Sequence, residues 1–385
     1  ALFTYSTMTP TIQHFFNWRH TGGHMYEVIV PAGTQTPDGL VDLSAVEQEM
    51  MQILAADPDA GIYAKIRVDV PGWWGSRNPD ETFKSDKGRG ALQSFCSEVW
   101  AQDTEKLLKT VVDALAARPV GKALSGVLVM GFRGGEFQLW GEDVGEYDCS
   151  APARRAFAAW QKANGVADPV DLPHPALSWP FQDKPGYARV RADFFRFVAE
   201  RHADNLIRFA RFFKKTYGDK YDFGLYFGYA MEHGGSWMRM LYGGHLGFGR
   251  VLAEAPLNLI SCPASYSLRR SYQSHAFMNT PSSAALHGIR SMFENDVRNY
   301  AYPLVGDSSG STIYSMRDSL VNDSRQMLFA ACHGAVVRYL ALAEGMDWFA
   351  LPQSIEQIAR DNARNQKLLP AELGMSGQLV LAIDP

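Results

Sequence analysis

The segment Ser125–Phe132, Ser-Gly-Val-Leu-Val-Met-Gly-Phe, restricts the fold of this chain more than any other. It is apolar throughout rather than alternating, the pattern of a strand covered on both faces, and such strands belong to parallel sheets flanked by helices. The surrounding segments repeat that logic. Strand-like runs at Leu2–Ser6, Met25–Pro31, Ile62–Pro71, Tyr221–Tyr229, Leu257–Ser261 and within Ala285–Glu294 are separated by stretches of helical character, at Asp42–Ala55, Gly90–Arg118, Ala151–Asn164, Val190–Tyr217 and Gly244–Ala253. The same pattern predicts helix over Tyr314–Ala343, an eighth strand at Met346–Leu351 and a last helix at Ser354–Leu369. Parallel neighbours need a crossover, so about eight βα units predict an α/β fold, a (β/α)8 TIM barrel with extended βα loops. The barrel is expected over residues 1–370. Residues 371–385 read as an extension whose apolar run, Gln378–Pro385, looks like a strand, either appended to the barrel or opening a further domain.

Composition narrows the function classes. Among 385 residues, 37 Lys+Arg face 41 Asp+Glu with no basic block, so no nucleic acid is expected as a partner. No apolar run reaches the ~18–20 residues that span a bilayer, so no membrane is expected either. The N-terminus has neither the basic start nor the apolar middle of a signal peptide. A chain whose signal had been removed would look the same, which leaves the compartment open between cytoplasmic and exported. Cys96, Cys149, Cys262 and Cys332 fit no zinc or haem spacing and read as free, mostly buried thiols. There is no dinucleotide fingerprint, no phosphate-binding loop and no paired-histidine helix motif, so no cofactor and no metal are expected.

In a barrel the active site is built from residues immediately after the strands. Here those are Asp69 with Pro71-Gly-Trp73-Trp74, Arg133-Gly-Gly-Glu136, Tyr229, Tyr266 with Arg269, Glu294-Asn-Asp296, and Trp348. Acidic residues thus follow the fourth strand and end the seventh. Paired carboxylates are what glycoside hydrolysis needs: one protonates the leaving oxygen, the other attacks the anomeric carbon or activates water. Tryptophan faces at several rims, Trp140 included, suit the C–H faces of sugar rings. Glu142, Asp143 and Glu146 compete with Glu136 for the first role, and Asp296 competes with Glu294 for the second. Arg67 and Asp69 also read as an ion pair inside the barrel.

Several of these motifs occur in an order that resembles clan A glycoside hydrolases, closest to family 42 β-galactosidases and their unclassified relatives. They are Pro71-Gly-Trp-Trp74 with Asn78-Pro-Asp80, Gly126–Glu136 followed by Arg155-Ala-Phe-Ala-Ala-Trp160, Gly224–Tyr229, Gly244-His245, Cys262-Pro-Ala-Ser-Tyr266 and Phe293–Arg298. The likeness covers roughly residues 60–350. It implies a retaining hydrolase of a β-linked sugar, with Glu136 as acid/base and Glu294 as nucleophile. It also implies a hydrogen bond from Tyr266 to that nucleophile. Asp69, Trp73, Trp74, Arg133, Tyr229, His245, Tyr266, Arg269 and Trp348 are then the residues expected at the substrate. The resemblance makes a carbohydrate the expected partner and leaves open a homo-oligomer, since such relatives are often trimers. Two features depart from the pattern: Gly135 stands where clan A usually has Asn before the acid/base, and the family's zinc-binding cysteine cluster is absent. The alternatives are a clan A hydrolase of another glycoside (mannoside, fucoside or uronide), an inactive carbohydrate-binding barrel, and an aldolase- or isomerase-type barrel, for which mid-strand Lys65 is a poor fit.

Overall fold

The computed structural model describes residues 3–7, 11–88, 93–139, 146–232, 237–270, 273, 274, 276–300, 315–341, 349 and 351–368. Trp140, Glu142, Asp143, Trp348 and the 371–385 extension lie outside them. The strands are β1 (Phe3–Thr7), β2 (Met25–Val30), β3 (Gly61–Arg67), β4 (Leu124–Met130), β5 (Asp222–Tyr226), β6 (Leu259–Pro263), β7 (Arg290–Asn295) and β8 (Val336–Ala341). Between them run α1 (Ile12–Arg19), α2 (Ser44–Ala56), α3 (Gly72–Arg77), α4 (Glu98–Ala116), α5 (Ala151–Ala163), α6 (Tyr187–Tyr217), α7 (Trp237–Tyr242), α8 (Phe248–Glu254), α9 (Pro281–Leu286) and α10 (Met316–Cys332), and α11 (Pro352–Leu368) follows β8. Strands β2 to β8 form a curled parallel sheet in chain order. The backbone of β1 closes it, pairing with β8 over five residues and with β2 at Tyr5↔Tyr26.

The helices form where caps and apolar stripes coincide. Ser97 starts α4 by accepting from the Trp100 N–H, and Leu107, Leu108, Val111, Val112 and Leu115 turn one buried face to the sheet. Ser150 caps α5 in the same way, with Pro152 in the first turn. The stretch expected as one helix over Tyr314–Ala343 is divided instead. α10 stops at Cys332, Gly334 takes φ +65°, and Val336–Ala341 becomes the eighth strand. Glycine supplies the left-handed turn, and the β-branched pair Val336-Val337 then favours strand.

Two sets of side chains alternate along the strands. One faces outward into the large core shared with the helices. The other fills the barrel: Met25, Tyr63, Leu128, Met130, Tyr226, Leu259, Met292 and Val336 form an interior cluster. Two residues further along four of these strands come Glu27, Lys65, Glu294 and Arg338. The strand period of two places them on the same interior face, one layer nearer the C-terminal ends. The barrel is therefore apolar at one level and charged at the next.

Candidate active site

A cavity of about 450 Å³ opens at the C-terminal end of the barrel. Glu136, Gln138, Tyr229, Tyr266, Arg133 and Arg239 line it, with Pro263 and Met278 supplying apolar wall.

Glu136 reaches this cavity from a loop of unusual backbone. Phe132 and Phe137 have φ of +57° and +56°, and Gly134 and Gly135 between them have +66° and +78°. Two bulky residues in the left-handed region are strained and must be held by their surroundings. Asp69 holds the first: its Oδ1 accepts from the Phe132 N–H at 2.8 Å and from Gln93 Nε2 at 2.9 Å, and its Oδ2 accepts from Arg67 Nε at 2.6 Å. Arg67 Nη2 also donates to the Phe132 carbonyl at 3.1 Å. His202 holds the second, its Nε2 meeting the Phe137 carbonyl at 2.8 Å. Burial pushes the His202 imidazole down to about 4, so it is neutral and Nε2 carries the proton. Asp69, expected at the substrate, is 2% exposed and spends its carboxylate on this loop.

The Glu136 carboxyl accepts from Tyr229 Oη at 3.0 Å and from Gln138 Nε2 at 2.9 Å. Burial pushes its pKa up to about 7, and the negative charge of Asp296 adds to this, against the Tyr229 hydrogen bond and the charges of Arg338 and Lys65. Tyr229 is fixed in turn by His245, which is fully buried and whose Nδ1 accepts from the N–H groups of Gly228 (3.2 Å) and Tyr229 (3.1 Å). His245 thus sits behind the cavity wall.

At the end of β7 two carboxylates face the interior. Asp296 has no exposed surface; Arg269 and Arg298 pair with it and Tyr266 Oη donates to it at 3.3 Å. The Tyr266 hydrogen bond therefore goes to Asp296. Arg269 is itself fully buried, with its guanidinium 3.7 Å from the centre of the Tyr266 ring. Glu294 keeps 9% of its side chain exposed and pairs with Arg338. Its Cα is the register partner of Pro263, which lines the cavity.

The tryptophans of α3 lie elsewhere. Trp74 is buried and donates from Nε1 to Asp103 at 2.9 Å, and half-buried Trp73 donates to the Gln35 carbonyl at 3.2 Å with Arg77 over its ring. Neither lines the cavity. Of the residues expected at the substrate, the structure brings Glu136, Arg133, Tyr229 and Tyr266 together at the opening, and sets Glu294 beside it. Gln138, Arg239, Met278 and Arg338 were not expected. Gln138 and Arg338 could have been found from their spacing to Glu136 and from a charge isolated in the run Val336–Ala341; Arg239 and Met278 carry no local signal.

No protein-family model matches the chain, and no curated protein matches it. Solved structures do. The catalytic domain of the β-amylase from Paenibacillus polymyxa superposes with a TM-score of 0.62 at 14% identity, covering 96% of this chain and 99% of that domain. The β-galactosidase from the psychrophilic Marinomonas ef1 gives 0.60 at 12% identity, covering 96% of this chain and 61% of that one. A polyextremophilic β-galactosidase from the Antarctic haloarchaeon Halorubrum lacusprofundi gives 0.62 at 12% identity, covering 95% and 58%. The chain thus spans the length of the amylase domain but less than two thirds of these galactosidases. What it shares with all three is the fold, a parallel βα-barrel along nearly its whole length.

Proposed function

We propose that this protein is a retaining glycoside hydrolase of a β-linked sugar, β-galactosidase-like, in which Glu136 is the acid/base and Glu294 the nucleophile. The observation that carries the reading is a buried carboxyl, Glu136, that lines the cavity with its pKa pushed up to about 7, with a second carboxylate, Glu294, at the strand end whose register partner Pro263 lines the same cavity. Glu136, titrating near 7, can give its proton to the glycosidic oxygen. Tyr229 and Gln138 donate to the anion this leaves, so both states of the acid/base are supported. Glu294 attacks the anomeric carbon, and Glu136 then takes a proton from the water that releases the sugar. Glu294 is preferred over Asp296 because the Asp296 carboxylate is enclosed by Arg269, Arg298 and Tyr266. The β-galactosidases among the fold neighbours and the motif order favour a galactoside.

A panel of p-nitrophenyl glycosides tests the activity. A 2-fluoro aryl glycoside of the sugar hydrolysed, followed by peptide mapping, should label Glu294; a label on Asp296 would move the nucleophile there. Saccharide binding without turnover of any panel member would favour a barrel that only binds sugar.

A further inference from the structure

We infer that Arg338 is a positioning residue of the reaction: from inside the barrel it holds the Glu294 carboxylate as an oriented anion, and Glu27 anchors Arg338 in that place. This inference rests on the reading of Glu294 as the nucleophile.

The geometry is set by register. In the pairing of β7 with β8, the Cα of Glu294 is the partner of the Cα of Arg338, and both side chains face the interior. The Arg338 guanidinium bridges two carboxylates. Nη1 pairs with Glu294, and Nε donates to Glu27 Oε2 at 2.6 Å. Arg338 is 1% exposed and the Glu27 side chain is fully buried, with Lys65 Nζ 3.4 Å from the same Glu27 oxygen. Nη2 is buried with no partner among the described residues. The fork thus spans two acids rather than saturating its own donors. A planar guanidinium can fix two carboxylates at a set angle; a lysine ammonium cannot.

The two carboxyls of the site then sit in opposite environments. Glu136 has neutral donors, Tyr229 and Gln138, whereas Glu294 touches a cation. Such a contrast separates an acid from a nucleophile. The other charged or titratable groups grouped around the pair are Glu27 on β2, Lys65 on β3, Glu136 after β4, Tyr226 and Tyr229 on and after β5, Tyr266 after β6 and Asp296 after β7. Arg338 is in direct contact with the Glu294 carboxylate. Glu27 matters in the covalent stage. When the bond from the anomeric carbon to the Glu294 oxygen forms, the bond to the leaving oxygen breaks and that oxygen takes the Glu136 proton. The Glu294 charge is then gone. Arg338 keeps the Glu27 anion and is not left as an unpaired buried cation.

The test compares Arg338→Gln and Arg338→Lys with the wild type. Labelling of wild-type Glu294 by a 2-fluoro glycoside comes first; no hydrolysis, or a label elsewhere, overturns the reading of the nucleophile. With Glu294 labelled, R338Q should move the acidic limb of the kcat/KM–pH profile upward by about one unit or more, because a buried carboxylate has lost its cation. R338K should leave that limb near its wild-type position but lower kcat by roughly tenfold or more, since charge is kept and orientation lost. An acidic limb unmoved in R338Q, or wild-type kcat in R338K, overturns the inference while leaving the nucleophile intact. Should R338Q fail to fold, the kcat of R338K alone decides.

Discussion

Burial raises the pKa of Glu136, and that has consequences in rate and in stability. Its pKa in the fold, about 7, lies above the ordinary value near 4.5. Activity that needs the acid form should therefore fall above pH 7, seen as the basic limb of kcat/KM. Glu136→Gln should lower kcat on a p-nitrophenyl glycoside by roughly 10²–10⁴-fold, and by less as the leaving group becomes more acidic and needs less protonation. The stability effect has a defined sign. A pKa raised by folding contributes fully below the unfolded value and is lost as pH rises through the folded value. Wild-type stability should decline between about pH 4.5 and 7, and denaturant titrations at a series of pH values should show a shallower decline in E136Q. Asp69 acts one residue further out. Asp69→Ala removes the acceptor of the Phe132 N–H and the partner of Arg67, and should cost on the order of 3 kcal/mol by urea unfolding.

At the scale of elements, the loop after β4 explains the departure at position 135. Its φ of +78° suits glycine, and a Cβ built there would collide with Met130 Cε. Gly135→Asn should destabilise the fold by roughly 1–3 kcal/mol. Calorimetry would show this as a lowered Tm. The barrel's first seven strands were legible because their apolar runs are separated by longer stretches of helical or polar character. β8 was not, because only His333-Gly334-Ala335 separates it from α10, and a short apolar run fits a buried helix as well as a strand. The site was legible to the same depth. Glu136 and Glu294 follow or end apolar runs, so their place near the strand ends could be read. The use of Asp69 and His245 as props for the Glu136 loop and for Tyr229 depends on contacts 63 and 16 residues apart in sequence, which no local pattern encodes.

Over the whole molecule, the alternation of runs was enough to indicate a parallel sheet, while what fills the barrel came only from the pairing of its strands. The cysteines give a test of that packing. Cys96, Cys149, Cys262 and Cys332 are all free thiols, three buried and Cys332 exposed. Burial pushes the thiols of Cys149 and Cys262 up to about 12. A thiol-reactive disulfide reagent should therefore modify one cysteine in the native protein and four in denaturant. The closure of the sheet has a consequence for how the protein comes to be. Because β8 pairs with β1, and Arg338 meets Glu27 across 311 positions, the Arg338 bridge between Glu27 and Glu294 forms only when the last strand docks. A ribosome must deliver residue 341 before the first strand finds its second neighbour, and until then Glu27 and Lys65 sit in an open half-built trough. High contact order of this kind slows folding and keeps apolar edges exposed. Glu294 and Arg338 are therefore brought together by the same late event that finishes the barrel, so in an unfinished chain the Glu294 carboxylate lacks the cation that orients it.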